Sequence, residues 1–191
     1  MPMIVSFGAA ISSADETSLT ISSGIISAKG FKKKGTVTVS GAATATMSVT
    51  GLDLGTDGCY VVTGMVKATA ACGNIQTNLG LNTDTTAGNY YSECCGTKHG
   101  VAASSSQANG RLENIYANAG KQIFFAVVRQ GADGYPIITA NCGGYSAGNE
   151  TTGVFMISKI NETTNVTSIQ YFHAGATIDV GSSMTVYKMM S

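Results

Sequence analysis

Alternation of apolar and polar residues is the main pattern along this chain. In the run 183–189, Met184 and Val186 fall on one face of an extended segment, because successive side chains of a strand point to opposite faces. The run 167–172 alternates in the same way, and Gly181 between the two runs permits a tight reversal. The pattern predicts two antiparallel strands joined by a loop, and neither strand offers a convincing catalytic group.

Similar short runs recur from about residue 45 onwards, with turn residues between them, and no segment longer than about ten residues keeps a helical period. This spacing predicts an all-β chain whose strands form two packed antiparallel sheets, a β-sandwich. The expected strands are 45–50, 60–68, 74–81, 89–94, 111–117, 122–129, 137–141, 153–160, 167–172 and 183–189.

The segments between the strands carry residues that are typical of turns. Gly58, Gly134 and the segment 141–144 supply residues that tolerate positive φ. The small polar segment 101–109 predicts a loop at an exposed end of the sandwich. The run 123–128 is apolar at every position, which predicts a central strand covered on both faces.

Residues 1–44 differ from residues 45–191, which are expected to form the sandwich. Short apolar pieces separated by polar stretches are typical of an extended N-terminal arm that gains order from a partner. Lys32, Lys33 and Lys34 are interpreted as a solvated turn, with an anchor against an acidic surface as the alternative. The candidate anchoring residues of the arm are Ile4, Val5, Phe7, Leu19 and Ile21.

The chain carries little charge for its length. Charged residues make up 12% of its 191 residues and the formal net charge is +0, whereas an average soluble domain has about 25% charged residues. Because surface charge keeps proteins apart, this composition indicates a surface partly covered in an assembly. It also argues against nucleic acid as a partner and against a basic membrane-binding face.

No apolar run reaches the roughly 18 residues that a membrane-spanning helix needs, so we expect a soluble chain without membrane insertion. The N-terminal apolar run lacks a preceding Lys or Arg, which disfavours a secretory signal.

Five cysteines form an odd set, so at least one thiol has no partner within the chain. We expect reduced thiols of a protein made in a cytoplasm; a Cys59–Cys142 disulfide, or one between subunits, is the alternative. Cys94, Cys95 and His99 suggest a metal site, but adjacent residues of a strand point to opposite faces, so both thiols cannot easily reach one ion.

One stretch, 144–148, matches the G-x-S-x-G pattern of a hydrolase nucleophile. That motif needs a helix after Ser146, which the sequence does not predict, and Asp179 follows His173 in the wrong order for that fold. His173 is therefore interpreted as structural. Three aspartates near predicted turns match no calcium loop: Asp53, Asp57 and Asp84. We expect no enzyme activity, no cofactor and no metal.

Three stretches carry a resemblance to a known group of domains. They are 48–54 followed by 60–67, the loop and strand 82–92, and the closing run that contains Ile169, Gly181, Ser183, Val186 and Tyr187. From about residue 45 to residue 189 the chain resembles the jelly-roll β-sandwich domains of tailed-bacteriophage virion proteins, among them decoration proteins, head fibres and tail-fibre tips. The resemblance implies a homotrimer or another symmetric oligomer on the virion exterior, made in the host cytoplasm, with no catalytic residues.

The resulting hypothesis is a capsid-associated decoration or head-fibre protein that docks on other virion proteins by its arm and displays the sandwich outward. The alternative is a tail-fibre or receptor-binding tip that recognises a host surface glycan. Its candidate ligand-facing residues are Ser104, Ser105, Gln107, Tyr145 and Asn149. A third class, a small secreted hydrolase or lectin, rests on 144–148 and on the tyrosines.

Overall fold

The computed structural model describes residues 19–20, 27–28, 30–69, 75–98, 101–107, 111–115, 121–146, 149–160, 163–174 and 176–190, which are mostly strand. The strands, in chain order, are β1 (Leu19–Thr20), β2 (Ser27–Ala28), β3 (Phe31–Thr38), β4 (Thr46–Thr50), β5 (Cys59–Lys67), β6 (Ile75–Leu81), β7 (Tyr90–Lys98), β8 (Val101–Gln107), β9 (Arg111–Ile115), β10 (Lys121–Gln130), β11 (Pro136–Ser146), β12 (Asn149–Lys159), β13 (Ser168–Ala174) and β14 (Ser183–Met189). A short helix, α1 (Leu54–Asp57), and a 3-10 turn, Ala87–Asn89, lie between strands.

The strands form a large and a small antiparallel sheet. The large sheet has eight strands in the order β3-β14-β5-β10-β11-β12-β7-β8, and the small sheet has four in the order β4-β13-β6-β9. The two-residue strands β1 and β2 pair with each other.

Eight of the strands pair as a nested set. β4 pairs with β13, β5 with β10, β6 with β9 and β7 with β8, and successive pairs alternate between the small and the large sheet. A long hairpin folded over on itself in this way is a jelly roll, so the predicted antiparallel jelly-roll-like sandwich is confirmed. The hairpin β11–β12 inserts between β10 and β7, and β14 and β3 widen the large sheet beyond β5.

The core lies between the two sheets, where their inward-facing side chains meet. The ring of Phe124 on β10 stacks on the ring of Tyr171 on β13, with centroids 5.2 Å apart. Gly64 on β5 lies opposite Phe124, and a Cβ at that position would overlap the phenylalanine ring. The two sheets are therefore joined at their centre by a large aromatic side chain that needs a glycine beneath it.

Strand β10 corrects one prediction. It lies in the interior of the large sheet, as expected, but only one of its faces is covered. Phe124 is 2% exposed, whereas Ile123 is 65% and Phe125 44% exposed. The apolar run thus supplies a core row on one side and an uncovered apolar row on the other.

Three further segments differ from the sequence-based expectation. Residues 31–38, assigned to the arm, form β3 and pair with β14, so the large sheet begins before residue 45. Residues 101–107, expected in a loop, form the edge strand β8, and the expected turn 141–144 lies inside β11. In each case backbone pairing with a neighbouring strand outweighs a composition rich in lysine, small residues or glycine.

Other predictions are confirmed. The expected strands 45–50, 60–68 and 183–189 agree with β4, β5 and β14 to within one residue at each end. Gly58 and Gly134 adopt φ of 76° and 86°, a conformation that glycine favours, and each ends a turn where the sequence predicts one.

Candidate functional site

The structure places the five predicted ligand-facing residues in strands. Ser104, Ser105 and Gln107 lie in the edge strand β8, and Tyr145 and Asn149 lie at the ends of β11 and β12 that form their hairpin. β7 and β12 separate β8 from β11, and Gln107 pairs with the start of β7, at the opposite end of the sheet from that hairpin. The five residues therefore do not form one cluster.

The predicted anchoring residues fall mostly outside the described part of the chain. Leu19 lies in β1 and pairs with Ala28. Ile4, Val5, Phe7 and Ile21 lie outside the described residues.

The residues of the G-x-S-x-G stretch and its candidate partners lie in different surroundings. Ser146 ends β11 and pairs with Asn149, so its backbone is strand rather than a strand-to-helix elbow. His173 lies in β13 of the other sheet, and Asp179 forms an ion pair with Lys67, with 3.2 Å between Oδ2 and Nζ. The aspartate thus serves to join the chain near residue 179 to the end of β5.

Polar side chains in the core bond to one another across the two sheets. Gln122 of β10 donates from Nε2 to Thr77 Oγ1 at 3.1 Å and accepts at Oε1 from the Tyr171 hydroxyl at 2.9 Å. That hydroxyl also lies 3.1 Å from His173 Nε2, and His173 Nδ1 lies 3.3 Å from the Thr177 carbonyl. Burial lowers the pKa of His173, which the Thr177 carbonyl only partly offsets. Both ring nitrogens have partners, as expected of a structural histidine.

Asp57, at the end of α1, holds three strands of the large sheet together. Its carboxylate lies 2.9 Å from the ammonium groups of both Lys34 on β3 and Lys188 on β14, and it accepts a hydrogen bond of 2.6 Å from the Tyr60 hydroxyl on β5. Burial opposes the charged form, but Tyr60 and the two lysines outweigh it and lower the pKa of Asp57. Lys34, expected in a solvated turn, is thus a structural residue.

A further ion pair joins β12 to the loop after β6. The side chain of Lys159 is 1% exposed, and its ammonium lies 3.3 Å from Asp84 Oδ2. Asp84 also accepts from the Thr86 backbone N–H at 2.9 Å and from Asn89 Nδ2 at 2.8 Å. Burial opposes ionisation of Asp84, yet these hydrogen bonds and the contact with Lys159 lower its pKa, so its carboxylate stays charged.

The loops at this end of the sandwich are tied by amide side chains. Asn165 donates to Asp53 Oδ1 at 2.7 Å and accepts from the Gly55 N–H at 2.9 Å, while Asn82 accepts from the Thr167 N–H at 2.8 Å. Hydrogen bonds from Thr56 lower the pKa of Asp53, and Asn165 adds to the effect. These hydrogen bonds connect the loop segments near residues 53–56, 82 and 165–167 to one another.

Nearly all buried polar side-chain atoms in the described residues have hydrogen-bond partners. Among them, only the Ser48 hydroxyl is buried without a hydrogen-bond partner. Within the same residues no group of three His, Cys, Asp or Glu side chains could hold a metal ion.

The alternative of a Cys59–Cys142 disulfide is wrong. Cys59 pairs with Arg129 at one end of β10, and Cys142 pairs with Phe124 towards the other end, on the opposite side of that strand. Arg129 and Phe124 are five positions apart along β10, which is about 16 Å at roughly 3.3 Å per residue. A disulfide requires Cα atoms within about 7 Å.

The outer side of the large sheet carries an uncovered cluster of apolar side chains, which we call the apolar face. Exposed fractions of these residues range from 44% to 65%, and the face consists of Met65 on β5, Ile123 and Phe125 on β10, and Val154 and Met156 on β12.

The strand register brings these side chains together. Ile123 pairs directly with Met65, and Phe125 follows two residues later on the same side of β10. Asn141 on β11 pairs with both Phe125 and Val154, so those two lie two strands apart, about 10 Å, on one row. The large side chains therefore flank a shallow strip formed by β11.

The signal for the apolar face was present in the sequence. In the run 123–128 the odd-numbered and the even-numbered residues are both apolar, which predicts a strand covered on both faces. The sandwich covers only one of these faces. The contributions of Met65, Val154 and Met156 could not be predicted, because they depend on the strand order.

The described part of the chain contains no helix long and apolar enough to span a membrane. Comparisons of the chain with protein-family models, with curated proteins and with solved structures find no match.

Proposed function

We propose that this chain is a structural protein of a virus particle, a jelly-roll sandwich that docks on other virion components by its N-terminal segment and displays its body outward. The observation that carries the proposal is the way the sandwich uses its polar side chains. The Gln122–Tyr171 bond joins the two sheets, and the Asp57 carboxylate joins three strands. Such an interior supports a scaffold rather than a reaction centre.

The composition supports the same proposal. A surface with so few charged groups favours association, because mutual repulsion between copies is weak. We propose that the protein forms a homo-oligomer, with a trimer as the number implied by the resemblance to bacteriophage virion domains. We propose that it is located on the exterior of the particle and acts by binding other virion proteins, not by catalysis.

The division between docking segment and body defines the experiment. Because β3 is part of the large sheet, the deletion should remove residues 1–29 and keep Phe31–Thr38. Full-length and truncated protein are added to particles of the encoding virus from which the protein has been stripped, and bound protein is measured after sedimentation of the particles. Circular dichroism of both proteins is the control for folding.

We expect full-length protein to rebind, and truncated protein to retain its β-type spectrum but to fail to bind. Equal binding of both would contradict docking by the N-terminal segment. Absence of the protein from purified intact particles would overturn the virion proposal altogether. Binding of free protein to host cells, lost on replacement of 101–107 or of the β11–β12 hairpin end, would favour the receptor-binding alternative.

A further inference from the structure

The apolar face lies at the middle of the large sheet rather than at its margin. β5, β10, β11 and β12 are consecutive inner strands of that sheet, with β14 and β3 on one side and β7 and β8 on the other. Lys121 and Arg129 lie at the two ends of the outward row of β10, beyond Ile123 and Phe125. An apolar centre bordered by polar residues is the usual anatomy of a protein–protein contact.

The area of the face reaches what a stable contact between two chains needs. Each of its five large, roughly half-exposed side chains presents on the order of 100 Å², which gives about 500 Å² of apolar surface. A patch of this size is at the upper end for a monomer. Two such patches together bury about 1,000 Å² before their polar surroundings are counted, which is the lower bound for a specific interface.

Pairing through the β3 edge of the large sheet is disfavoured. Three lysines, Lys32, Lys33 and Lys34, lie in β3, and its register with β14 shifts between Val186 and Tyr187. Edge lysines and bulges oppose the addition of a further strand. Contact through the face is therefore favoured over contact through the β3 edge.

We propose that the apolar face is the surface by which copies of this chain contact one another. The inference deepens the proposed function and rests on it, since it names the chain itself as the partner of this surface. Contact between the same face of two copies is two-fold symmetric, so this surface predicts a dimer rather than the trimer that the resemblance implies. It also accounts for the apolar run 123–128: the core covers one side of β10, and a second copy covers the other.

The first test is the mass of the protein in solution. Sedimentation velocity at micromolar concentration is measured for the wild type, for Phe125→Glu and Met156→Glu, and for Thr50→Glu. The last change places the same charge at an exposed position on the other sheet. Two face variants on different strands are used, each checked by circular dichroism, so that misfolding of one does not decide the result.

We expect the wild type and Thr50→Glu to sediment as a multiple of the 19.5 kDa chain. Phe125→Glu and Met156→Glu should sediment as single chains, because a carboxylate buried without a partner weakens association by about 100-fold or more.

The methionines provide a second test without mutation. Met65 and Met156 lie on the face, and Met189, with a similar exposed fraction of 47%, lies at the end of β14 outside it. Oxidation by dilute hydrogen peroxide, followed by mass spectrometry, should be several-fold slower at Met65 and Met156 than at Met189 in the associated wild type. The three rates should become similar in Phe125→Glu.

A wild type that stays a single chain, or an oligomer that neither face variant dissociates, would overturn the inference. So would a single chain whose Met65 and Met156 are protected, because the face would then be covered by the same chain. None of these results touches docking by residues 1–29, which the particle-binding experiment tests separately.

Discussion

Two adjacent phenylalanines on β10 give a direct test of which side of that strand faces the core. Phe124 is 2% exposed and stacks on Tyr171, whereas Phe125 is 44% exposed on the outer side. Truncation of Phe124 to alanine loses about 2–3 kcal/mol of side-chain transfer free energy. A residual cavity of up to about 100 Å³ costs up to roughly 2 kcal/mol more. We therefore expect Phe124→Ala to lower the free energy of unfolding by about 4 kcal/mol.

Phe125→Ala is the matched control, since it makes the same chemical change one residue away. At a protein concentration low enough for the chains to be separate, it should cost less than about 1 kcal/mol. Thermal unfolding followed by circular dichroism resolves the two cases. For a chain of this size, 4 kcal/mol corresponds to a fall in Tm of about 8–16 °C.

Equal losses for the two variants, or a larger loss for Phe125→Ala in separate chains, would refute the assignment of inward and outward residues on β10. A loss for Phe125→Ala that grows with protein concentration would instead report its role in association.

Asp57→Asn should lower the free energy of unfolding by about 2 kcal/mol, because the charged acceptor for two lysines is lost. Since the folded-state pKa of Asp57 is lowered, its contribution to stability is present above about pH 4 and falls as the pH drops below that. The free energy of unfolding in urea should therefore decrease less from pH 7 to pH 3 in Asp57→Asn than in the wild type. Gly64→Ala should destabilise by more than about 1 kcal/mol through overlap with Phe124, whereas Gly30→Ala, whose Cβ meets no atom within 4 Å, should be nearly neutral by the same assay. The imidazole of His173 should titrate in NMR spectra below the ordinary value of about 6.5, so its contribution to stability should fall as the pH drops below that value; titration above it would contradict its burial.

The alternating pattern predicts much of the fold because inward residues of a strand must be apolar wherever a sheet covers a core. β4, β5 and β14 were located in this way. The pattern does not predict β3, because three consecutive lysines are typical of a solvated turn. They lie in a strand because β3 is the edge of the large sheet and Lys34 forms an ion pair with Asp57 of α1. β11 was cut short because glycine is read as a turn signal, although Gly143 pairs with Ile123 inside the sheet.

The polar groups of the core were harder to predict than the strands. Gln122 lies two residues before Phe124 and therefore on the same, inward face of β10, which indicates that a polar side chain enters the core. Its partners, Thr77 and Tyr171, lie on the other sheet and far away in sequence, and no local pattern links them. The apolar face depends in the same way on which strands become neighbours.

The nested pairing of the jelly roll has a consequence for the speed of folding. β4 and β13 are hydrogen-bonded neighbours, yet more than half of the chain lies between them. Folds dominated by such distant pairings form slowly, on the millisecond to second scale. β5, an inner strand of the large sheet, needs β10 and β14 as neighbours, and the ribosome makes both of them later. During synthesis Val62 can pair with Ala126 of β10 first, but its second neighbour, Val186 of β14, is made only near residue 189. Until then one edge of β5 stays unpaired, and unpaired strand edges of this kind are prone to aggregation.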